Sequence, residues 1–394
     1  FPAVTLCNVN PLRRDRLHHL FTLNAQTRMT LFEGEQFETF QAWENQTDGL
    51  AILKFLINYL NRNNIEHIAD MGFNLTDIYH FSPLFGNCYT FNPAYLNHSN
   101  AVAQGFLEGL DVQFFIHQDQ YLYPGTQGAG VSVTVHKADI YPMPEVNGVF
   151  AQPGTHTLIE YKRKNIKRIK SPHGKCRTTP LKETYLNFHR DYSYNAVLCR
   201  KLCEQRYVLS KCNCVALENY YFQWIIVDNK KERLKLCEFN NECLKKVYYS
   251  FNYLSTMCAE ECLPVCEYTD YDLQISQLSH PSMAHREYIE QRLQKFFENL
   301  TEMAENNVSA FPNNWYNDTI NVIKENLVRI SIHPGEFIIQ EIIESPKYST
   351  EDIVGNFGGH LGLLVGVGLI SFTEFIVLLF LCIQNGMNRR KRSS

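Results

Sequence analysis

Residues 355–394 read GNFGGHLGLLVGVGLISFTEFIVLLFLCIQNGMNRRKRSS, and this stretch decides how the chain is organised. About 23 residues, Leu361 to Ile383, are apolar enough and numerous enough to span a lipid bilayer. One carboxylate, Glu374, lies inside that span, and an ionisable group at membrane depth usually faces a water path or a partner. The basic run 389–392 predicts a cytoplasmic C-terminus, because positive residues favour that side. Everything before residue 355 is then expected outside the cell.

Two interpretations of this span differ in what surrounds it. A single-pass anchor would use its glycines for helix packing, but it has no need of a buried carboxylate. Glycines at 355, 358, 359, 362, 366 and 368 crowd the outer half of the stretch. A helix that lines a pore shared by several copies accounts for both features, so the sequence favours a pore.

Cysteine usage indicates the compartment of the other residues. The 394-residue chain carries 13 cysteines without a CxxC…CxxC zinc pattern, and all but Cys382 precede the span. That split is typical of a disulfide-bonded ectodomain. Six N-x-S/T sequons precede the span as well and are candidate glycosylation sites: Asn45, Asn74, Asn97, Asn299, Asn307 and Asn317.

Charge and motifs exclude several other classes. The net charge of −4 gives no reason to expect a nucleic-acid partner. No HExxH, GxSxG or Walker motif is present, so an enzyme is disfavoured. The chain shows no signal peptide and no second apolar span, and it begins at Phe1 without a methionine. We therefore expect a further segment upstream.

Hydrophobic periodicity divides the chain into helical and β regions. Residues 12–80 are helix-biased, most clearly at Leu50–Leu60, where leucines recur at helical spacing. The middle of the chain is rich in β-branched and aromatic residues and predicts a β core. The basic run Lys162–Lys175 is interpreted as a solvated strand or loop. Predicted strands cover 1–9, 110–117, 131–136, 155–161, 327–332 and 337–343, and predicted helices cover 194–209 and 285–306. The second helix is predicted to have one apolar face, formed by Ile289, Leu293, Phe296, Phe297 and Leu300.

Five motifs, in order along the chain, carry a family resemblance. They are FPAVTLCN (1–8), NCYTFN (87–92), AVLCRKLCEQRYVLSKCNC (196–214), CAEECLPVC (258–266) and GNFGGHLGLLVGVGLISFTE (355–374). Together they resemble the degenerin/epithelial sodium channel family, which includes the acid-sensing channels. The resemblance is loosest in residues 12–80 and tightest around the cysteines.

The resemblance implies an α+β membrane protein with a hand-like, disulfide-rich ectodomain. Its palm and β-ball would be β-sheets, its finger, knuckle and thumb would be helical, and three subunits would form the channel. The family's first transmembrane helix is absent from this chain. The implied parts are a palm strand (1–11), finger (12–86), palm and β-ball (87–175), thumb (176–270), knuckle and finger return helices (271–322), palm strands to the membrane (323–354), second transmembrane helix (355–385) and cytoplasmic tail (386–394).

Spacing alone leaves the disulfide connectivity open. The resemblance implies one bridge outside the thumb and five that would form a ladder along it. The implied pairs are Cys7–Cys88, Cys176–Cys266, Cys199–Cys262, Cys203–Cys258, Cys212–Cys243 and Cys214–Cys237.

The resemblance also assigns roles in the pore. Gly366, Val367 and Gly368 occupy the selectivity tract, where backbone carbonyls would bind a partly dehydrated Na⁺. Gly368 replaces the tract's final serine, which leaves the tightness of sodium selection open. Glu374 would form a ring of three carboxylates, or else a hydrogen bond between helices. Gly355 matches a position that controls the gate and Gly362 the position of the blocker amiloride, although both also suit simple helix packing.

The stimulus that opens the channel is the least determined property. Acid-sensing relatives pair carboxylates between the thumb and the finger or β-ball, and this chain keeps Glu145 and Asp191. It has Lys245 where acid sensors carry an aspartate, and His173 where they place an aromatic residue. These departures favour opening by an extracellular peptide, as in the FMRFamide-gated branch of invertebrates, over proton, mechanical or constitutive gating. The candidate peptide contacts are aromatic: Phe81, Phe85, Tyr248, Tyr249 and Tyr253.

The expected setting is the plasma membrane, with a large extracellular domain, a multi-pass topology and a cytoplasmic C-terminus. The expected partners are two like subunits, a peptide ligand and the lipid bilayer, with Na⁺ as the permeant ion. No cofactor, structural metal or nucleic acid is expected. A single-pass cysteine-rich receptor is the alternative outside the family, and an assembly of identical or of different subunits stays open.

Overall fold

The described part of the chain combines β-strands with helices, the longest of which are Ala196–Cys212, Arg286–Met303 and Leu369–Arg392. The computed structural model describes residues 1–20, 57–59, 61–62, 79–91, 109–121, 128–177, 192–221, 224–227, 230–238, 241–249, 251–303, 311–312, 315–336, 338–366 and 368–392. The strands are β1 (Ala3–Asn8), β2 (Tyr79–Ser82), β3 (Gly86–Phe91), β4 (Leu110–Phe115), β5 (Val131–His136), β6 (Val149–Ala151), β7 (Thr155–Lys167), β8 (Trp224–Val227), β9 (Lys230–Arg233), β10 (Glu267–Ser279), β11 (Leu327–Pro334) and β12 (Gln340–Ile343). The helices are α1 (Arg14–Leu20), α2 (Pro144–Asn147), α3 (Ala196–Cys212), α4 (Glu242–Tyr249), α5 (Phe251–Glu261), α6 (Arg286–Met303), α7 (Thr319–Asn326), α8 (Thr350–Val365) and α9 (Leu369–Arg392).

The strands form two larger sheets and one separate pair. The first sheet is antiparallel throughout and has the order β2-β3-β1-β5-β6. The second has the order β10-β7-β11-β4, and β10 runs antiparallel to β7 along its whole length. β11 runs parallel to the first half of β7, and β12 runs parallel to its second half. β7 therefore extends from the core of the sheet to the segment that enters α8.

Both sheets contribute to one hydrophobic core. Val4 of β1, Val133 of β5, Ile159 of β7 and Ile330 of β11 have no solvent-exposed surface and belong to a single cluster. β-Branched side chains suit this setting because they pack well on a pleated surface. The first strand of the chain and its last long strand therefore share a core.

Six disulfides fasten the described chain, and their pairing is the one that the resemblance implied. Cys7–Cys88 joins the neighbouring strands β1 and β3. Cys199–Cys262 and Cys203–Cys258 join α3 to α5 one helical turn apart, and Cys212–Cys243 joins the end of α3 to α4. The cluster between these helices consists largely of half-cystines, so bridges replace much of an ordinary apolar core. Cys176–Cys266 and Cys214–Cys237 complete the set.

Most elements predicted from periodicity are present with small shifts. The predicted helices at 194–209 and 285–306 are α3 and α6, and the predicted strand at 155–161 continues to Lys167 as β7. The predicted helix Leu50–Leu60 lies outside the described residues except at 57–59. The boundaries of the eight implied parts stay predictions.

The apolar face predicted for α6 is only half buried. Ile289 and Phe297 are buried against Trp315 of the segment before α7. Phe296 and Leu300, predicted on the same face, are 51% and 39% exposed. The helix therefore buries a narrower stripe than its sequence predicts.

Candidate functional site

The glycine-rich stretch forms two helices with a break between them. α8 ends at Val365 and α9 begins at Leu369. Gly366 has a backbone φ of +70°, a conformation that glycine adopts without the steric penalty of a side chain. The last carbonyls of α8 accept no hydrogen bond within their own helix, and the negative end of the helix dipole lies at this break. Val367 lies outside the described residues.

The expected transmembrane helix over 355–385 is not one element. The stretch Leu361–Ile383, predicted to span a bilayer, is interrupted, because α8 ends at Val365 and Gly366 has a positive φ. In the ranges that the structure describes, we find no helix that combines the length and the apolar character needed to cross a membrane.

Apolar side chains cover both helices and are exposed in the single chain. A water-exposed surface rarely carries so continuous an apolar area, so lipid or further protein is the expected cover. Twelve large apolar side chains between 363 and 383 are each at least half exposed: Leu363, Leu364, Ile370, Phe372, Phe375, Ile376, Val377, Leu378, Leu379, Phe380, Leu381 and Ile383.

The predicted pore residues follow one another along these two helices. Gly355 and Gly362 lie seven residues apart on α8, and so on the same face. A Cβ atom added at Gly355, Gly366 or Gly368 would meet no other atom within 4 Å. Glu374 is exposed on α9, about 9 Å along the helix axis from Gly368 at 1.5 Å per residue. These glycines therefore leave the backbone free of side chains at three positions before Glu374 in the chain.

A short link joins this segment to the second sheet. β12 pairs with the end of β7, and the Glu344 backbone nitrogen donates to the Lys167 carbonyl at 2.9 Å. Arg168 Nη1 donates to Glu344 Oε1 at 3.3 Å, and the Ile169 backbone nitrogen donates to Glu344 Oε2 at 3.1 Å. Both carboxylate oxygens of Glu344 are therefore held six residues before α8 begins.

The same arginine contacts the base of the disulfide ladder. Arg168 Nη2 donates to the Tyr268 hydroxyl at 3.2 Å, and its guanidinium lies 5.4 Å from the centre of that ring. The Arg168 backbone nitrogen donates to the Cys266 carbonyl at 2.7 Å, and Cys266 is bonded to Cys176. We call Arg168, Tyr268, Cys266 and Glu344 the link cluster. The link cluster therefore connects the base of the ladder to the segment that enters α8.

The structure separates the aromatic residues predicted to contact a peptide. Phe81 and Phe85 are about 5% exposed, and Phe85 packs against the Cys7–Cys88 bridge. Their predicted place at an exposed tip is therefore wrong, because β2 and β3 bury them in the first sheet. Tyr249 at the end of α4 is 92% exposed, and Tyr248 beside it is 36% exposed. The side chain of Tyr253 lies outside the described residues.

Three of the positions considered for acid sensing lie in the described residues. Glu145 is partly buried in α2, and Asp191 lies outside the described residues. Lys245 Nζ donates to Glu242 Oε1 at 2.9 Å within α4, and this bond lowers the pKa of Glu242. His173 is exposed in a turn. α4 therefore holds an internal ion pair at Lys245, where a pair of carboxylates that shares a proton was the alternative.

Two of the six sequons can be located. Asn299 on α6 and Asn317 before α7 are exposed, whereas Asn45, Asn74, Asn97 and Asn307 lie outside the described residues. Over the same described ranges, no group of three or more His, Cys, Asp or Glu side chains is placed to hold a metal ion.

Sequence reasoning misses the link cluster. Arg168 lies in the basic run Lys162–Lys175, which reads as a solvated segment, and no pattern distinguishes it from its neighbours. Glu344 is 176 residues away and reaches it only through the pairing of β12 with β7. The signal is therefore in strand pairing, which one sequence does not reveal.

Comparisons with known proteins agree on one family. A family profile described as "Amiloride-sensitive sodium channel" matches residues 1–378. "Degenerin mec-10" of Caenorhabditis elegans is 26% identical over 304 residues, covering 76% of this chain and 37% of that protein. "Epithelial sodium channel subunit gamma" of Xenopus laevis is 26% identical over 314 residues, covering 78% and 43%. "Acid-sensing ion channel 1A" of Danio rerio is 23% identical over 421 residues, covering 96% and 74%. The chain thus spans less than half the length of the first two relatives.

Proposed function

The chain belongs to the amiloride-sensitive sodium channel family, and from this premise we propose that it is a subunit of a sodium-selective channel blocked by amiloride and opened by an extracellular peptide. Three like subunits around an axis would form the ion path. The observation that carries the proposal is the family match over residues 1–378, which includes the disulfide-rich part and the helix break together.

The break between α8 and α9 supports an ion-selective role. A helix C-terminus favours a cation, because its last carbonyls are free and its dipole is negative there. Three copies of the break would direct such carbonyls at a partly dehydrated Na⁺. Gly366 and Gly368 carry no side chain that would keep the copies apart, and Gly362 on the preceding turn is the proposed amiloride position. Gly355, about two helical turns before Gly362, is the proposed gate.

Glu374 supplies the charge of the proposed path. Three copies of this carboxylate would raise the local cation concentration and repel anions. A carboxylate with no structural use would be a costly residue among so many apolar side chains. The alternative, a hydrogen bond between neighbouring helices, needs no negative charge and is distinguished by substitution with glutamine.

The exposed apolar side chains support placement in a membrane. Lipid and the two like subunits are the proposed cover for the apolar surface of α8 and α9. An interrupted helix is tolerated at membrane depth where its free backbone groups line a water-filled path. The disulfide-rich part, with its exposed Asn299 and Asn317 sequons, would then be extracellular.

The link cluster supports opening from outside. A ligand that displaces the thumb would move Cys266 and Arg168, and through Glu344 the segment that enters α8. Tyr248 and Tyr249 at the end of α4 are exposed and stay candidates for contact with a peptide, as does Tyr253. A ligand shifts this equilibrium only by its difference in affinity for the two states.

Proton gating is the second candidate, because a relative named as an acid-sensing channel aligns with 96% of this chain. The Lys245–Glu242 pair argues against it, since protonating a carboxylate that already holds a lysine removes an attraction. Mechanical or constitutive opening within the family, and a single-pass receptor outside it, are further alternatives.

The test is current recorded from cells that express the full-length protein. Amidated peptides, then acidification to about pH 6, are applied with and without amiloride. A peptide-evoked, amiloride-blocked inward sodium current supports the proposal, and Glu374→Gln is expected to reduce it where Glu374→Asp does not. Current at low pH without peptide would establish proton gating instead. Silence to every stimulus, with the protein at the surface, would favour a missing partner subunit or the receptor.

A further inference from the structure

A cavity of about 730 Å³ lies between α6 and the second sheet, away from the pore segment. β4 and β11 form its floor, α6 forms its roof, and the turn between β10 and α6 closes one end. This volume falls within the range of about 300–1,000 Å³ found for sites that bind small organic ligands. The proposed channel mechanism makes no use of it.

One half of the cavity is apolar. Leu293 and Phe296 of α6 face it from above, and Phe115 and Leu327 line it from the sheet. Phe296 is half exposed although its neighbour Phe297 is fully buried. An aromatic side chain left open at a cavity wall is a suitable contact for an apolar ligand body.

The other half is polar and carries excess positive charge. Its one lining carboxylate, Asp111, is held by two bonds from Arg329, at 2.6 and 3.2 Å, and this pairing lowers the pKa of Asp111. The Gln113 amide nitrogen lies 3.2 Å from His280 Nε2. Because the amide nitrogen is the donor, Nε2 accepts this hydrogen bond, and the imidazole ring is therefore neutral. Arg292 also lines the cavity, and within the described ranges it has no ion pair. Two guanidinium groups therefore face one carboxylate.

We propose that this cavity binds a small organic carboxylate, with the carboxylate held by Arg292 and an aromatic or aliphatic body against Leu293 and Phe296. The excess cation selects an anion over a neutral or basic ligand, and a guanidinium binds a carboxylate through two parallel bonds. The apolar half requires a ligand larger than an inorganic anion. Binding at this site does not require ion conduction, so its test is independent of the test of the proposed function.

The first test is isothermal titration of the purified full-length protein at neutral pH with 4-phenylbutyrate. The matched probe is 4-phenylbutanamide, which keeps the body and lacks the charge. We expect saturable binding of the carboxylate, with affinity at least about tenfold above that of the amide. Absence of saturable binding, or equal affinity for both probes, overturns the proposal.

Variants then locate the bound probe. Arg292→Gln is expected to weaken 4-phenylbutyrate about tenfold, the loss of one charge-assisted contact. Lys295→Gln removes the same charge from an exposed position on the same helix that does not line the cavity, and it should leave the affinity unchanged. Leu293→Phe, which narrows the apolar half and keeps every charge, should also weaken binding. Unchanged affinity in Arg292→Gln, or equal losses in Arg292→Gln and Lys295→Gln, would refute the assignment.

Discussion

Removal of one bridge from the thumb ladder should cost far less stability than the sequence separation of its cysteines suggests. The change is Cys199→Ser together with Cys262→Ser, which removes a bridge that closes 63 residues. A lone bridge over a loop of this length would contribute about 4 kcal/mol by restricting the unfolded chain. In the ladder, however, the bridges on either side remain.

The neighbouring bridges reduce the loop that is actually released. Cys203–Cys258 and Cys176–Cys266 flank the removed bridge, so its loss merges a ring of about 8 residues with one of about 27. The chain-entropy relation then gives a loss of about 2 kcal/mol in the free energy of unfolding. Removal of Cys203–Cys258 as well should cost about 5 kcal/mol in total, more than the sum of the two single losses.

The assay is denaturant unfolding of the purified full-length protein without reductant, followed by tyrosine and tryptophan fluorescence. Cys382→Ser is the control, because Cys382 is the free, exposed cysteine of the described chain, and it should leave the midpoint unchanged. A loss near 4 kcal/mol for the single bridge, or strictly additive losses for the two, would contradict the nested-ring argument.

Three further predictions follow from the break, the link cluster and the cavity. Gly366→Ala places a side chain at φ +70° at a cost of about 1 kcal/mol. The sodium-to-potassium permeability ratio, measured from reversal potentials, should therefore fall more in Gly366→Ala than in the control Gly368→Ala. Equal effects of the two substitutions would contradict this account of the break. Arg168→Lys and Glu344→Gln should each shift the half-maximal agonist concentration two- to fivefold, because a partly exposed ion pair contributes about 0.5–1 kcal/mol. Strictly additive shifts in the double variant would show that Arg168 and Glu344 are not coupled. Burial lowers the pKa of His280 to about 4, so the folded state holds its neutral form. The contribution of His280 to stability should therefore be complete above about pH 6.5 and be lost as the pH drops from there towards 4. His280→Gln should reduce this dependence of the melting temperature on pH.

Residue patterns predict the elements of this fold better than they predict their contacts. The strands at 131–136 and 327–332 were identifiable because β-branched residues dominate them, and both are present with little shift. Phe81 and Phe85 show a property that local patterns do not encode. The sequence around an aromatic residue near a turn is the same whether its side chain is exposed or buried. Here Phe81 is buried on β2, and Phe85 is buried against the Cys7–Cys88 bridge.

The pore segment shows the same division. Its apolar character and its glycines are visible in the sequence. The turn at Gly366 is not visible there, because glycine is compatible with a helix, a packing face or a break. The link cluster was missed for a different reason. Its ion pair joins Arg168 and Glu344 through a parallel strand pairing that no local pattern encodes.

The order of strands in the second sheet also sets how long a strand remains unpaired during synthesis of the chain. β4 lies at the sheet edge and pairs with β11, and Leu110 meets Ile332 across 222 residues. At a synthesis rate of about 5–20 residues per second, β4 waits roughly ten to forty seconds for its partner to emerge. Unpaired strand edges recruit other strands during such an interval. The yield of correctly assembled protein should therefore depend on what shields β4 and β7 on the nascent chain.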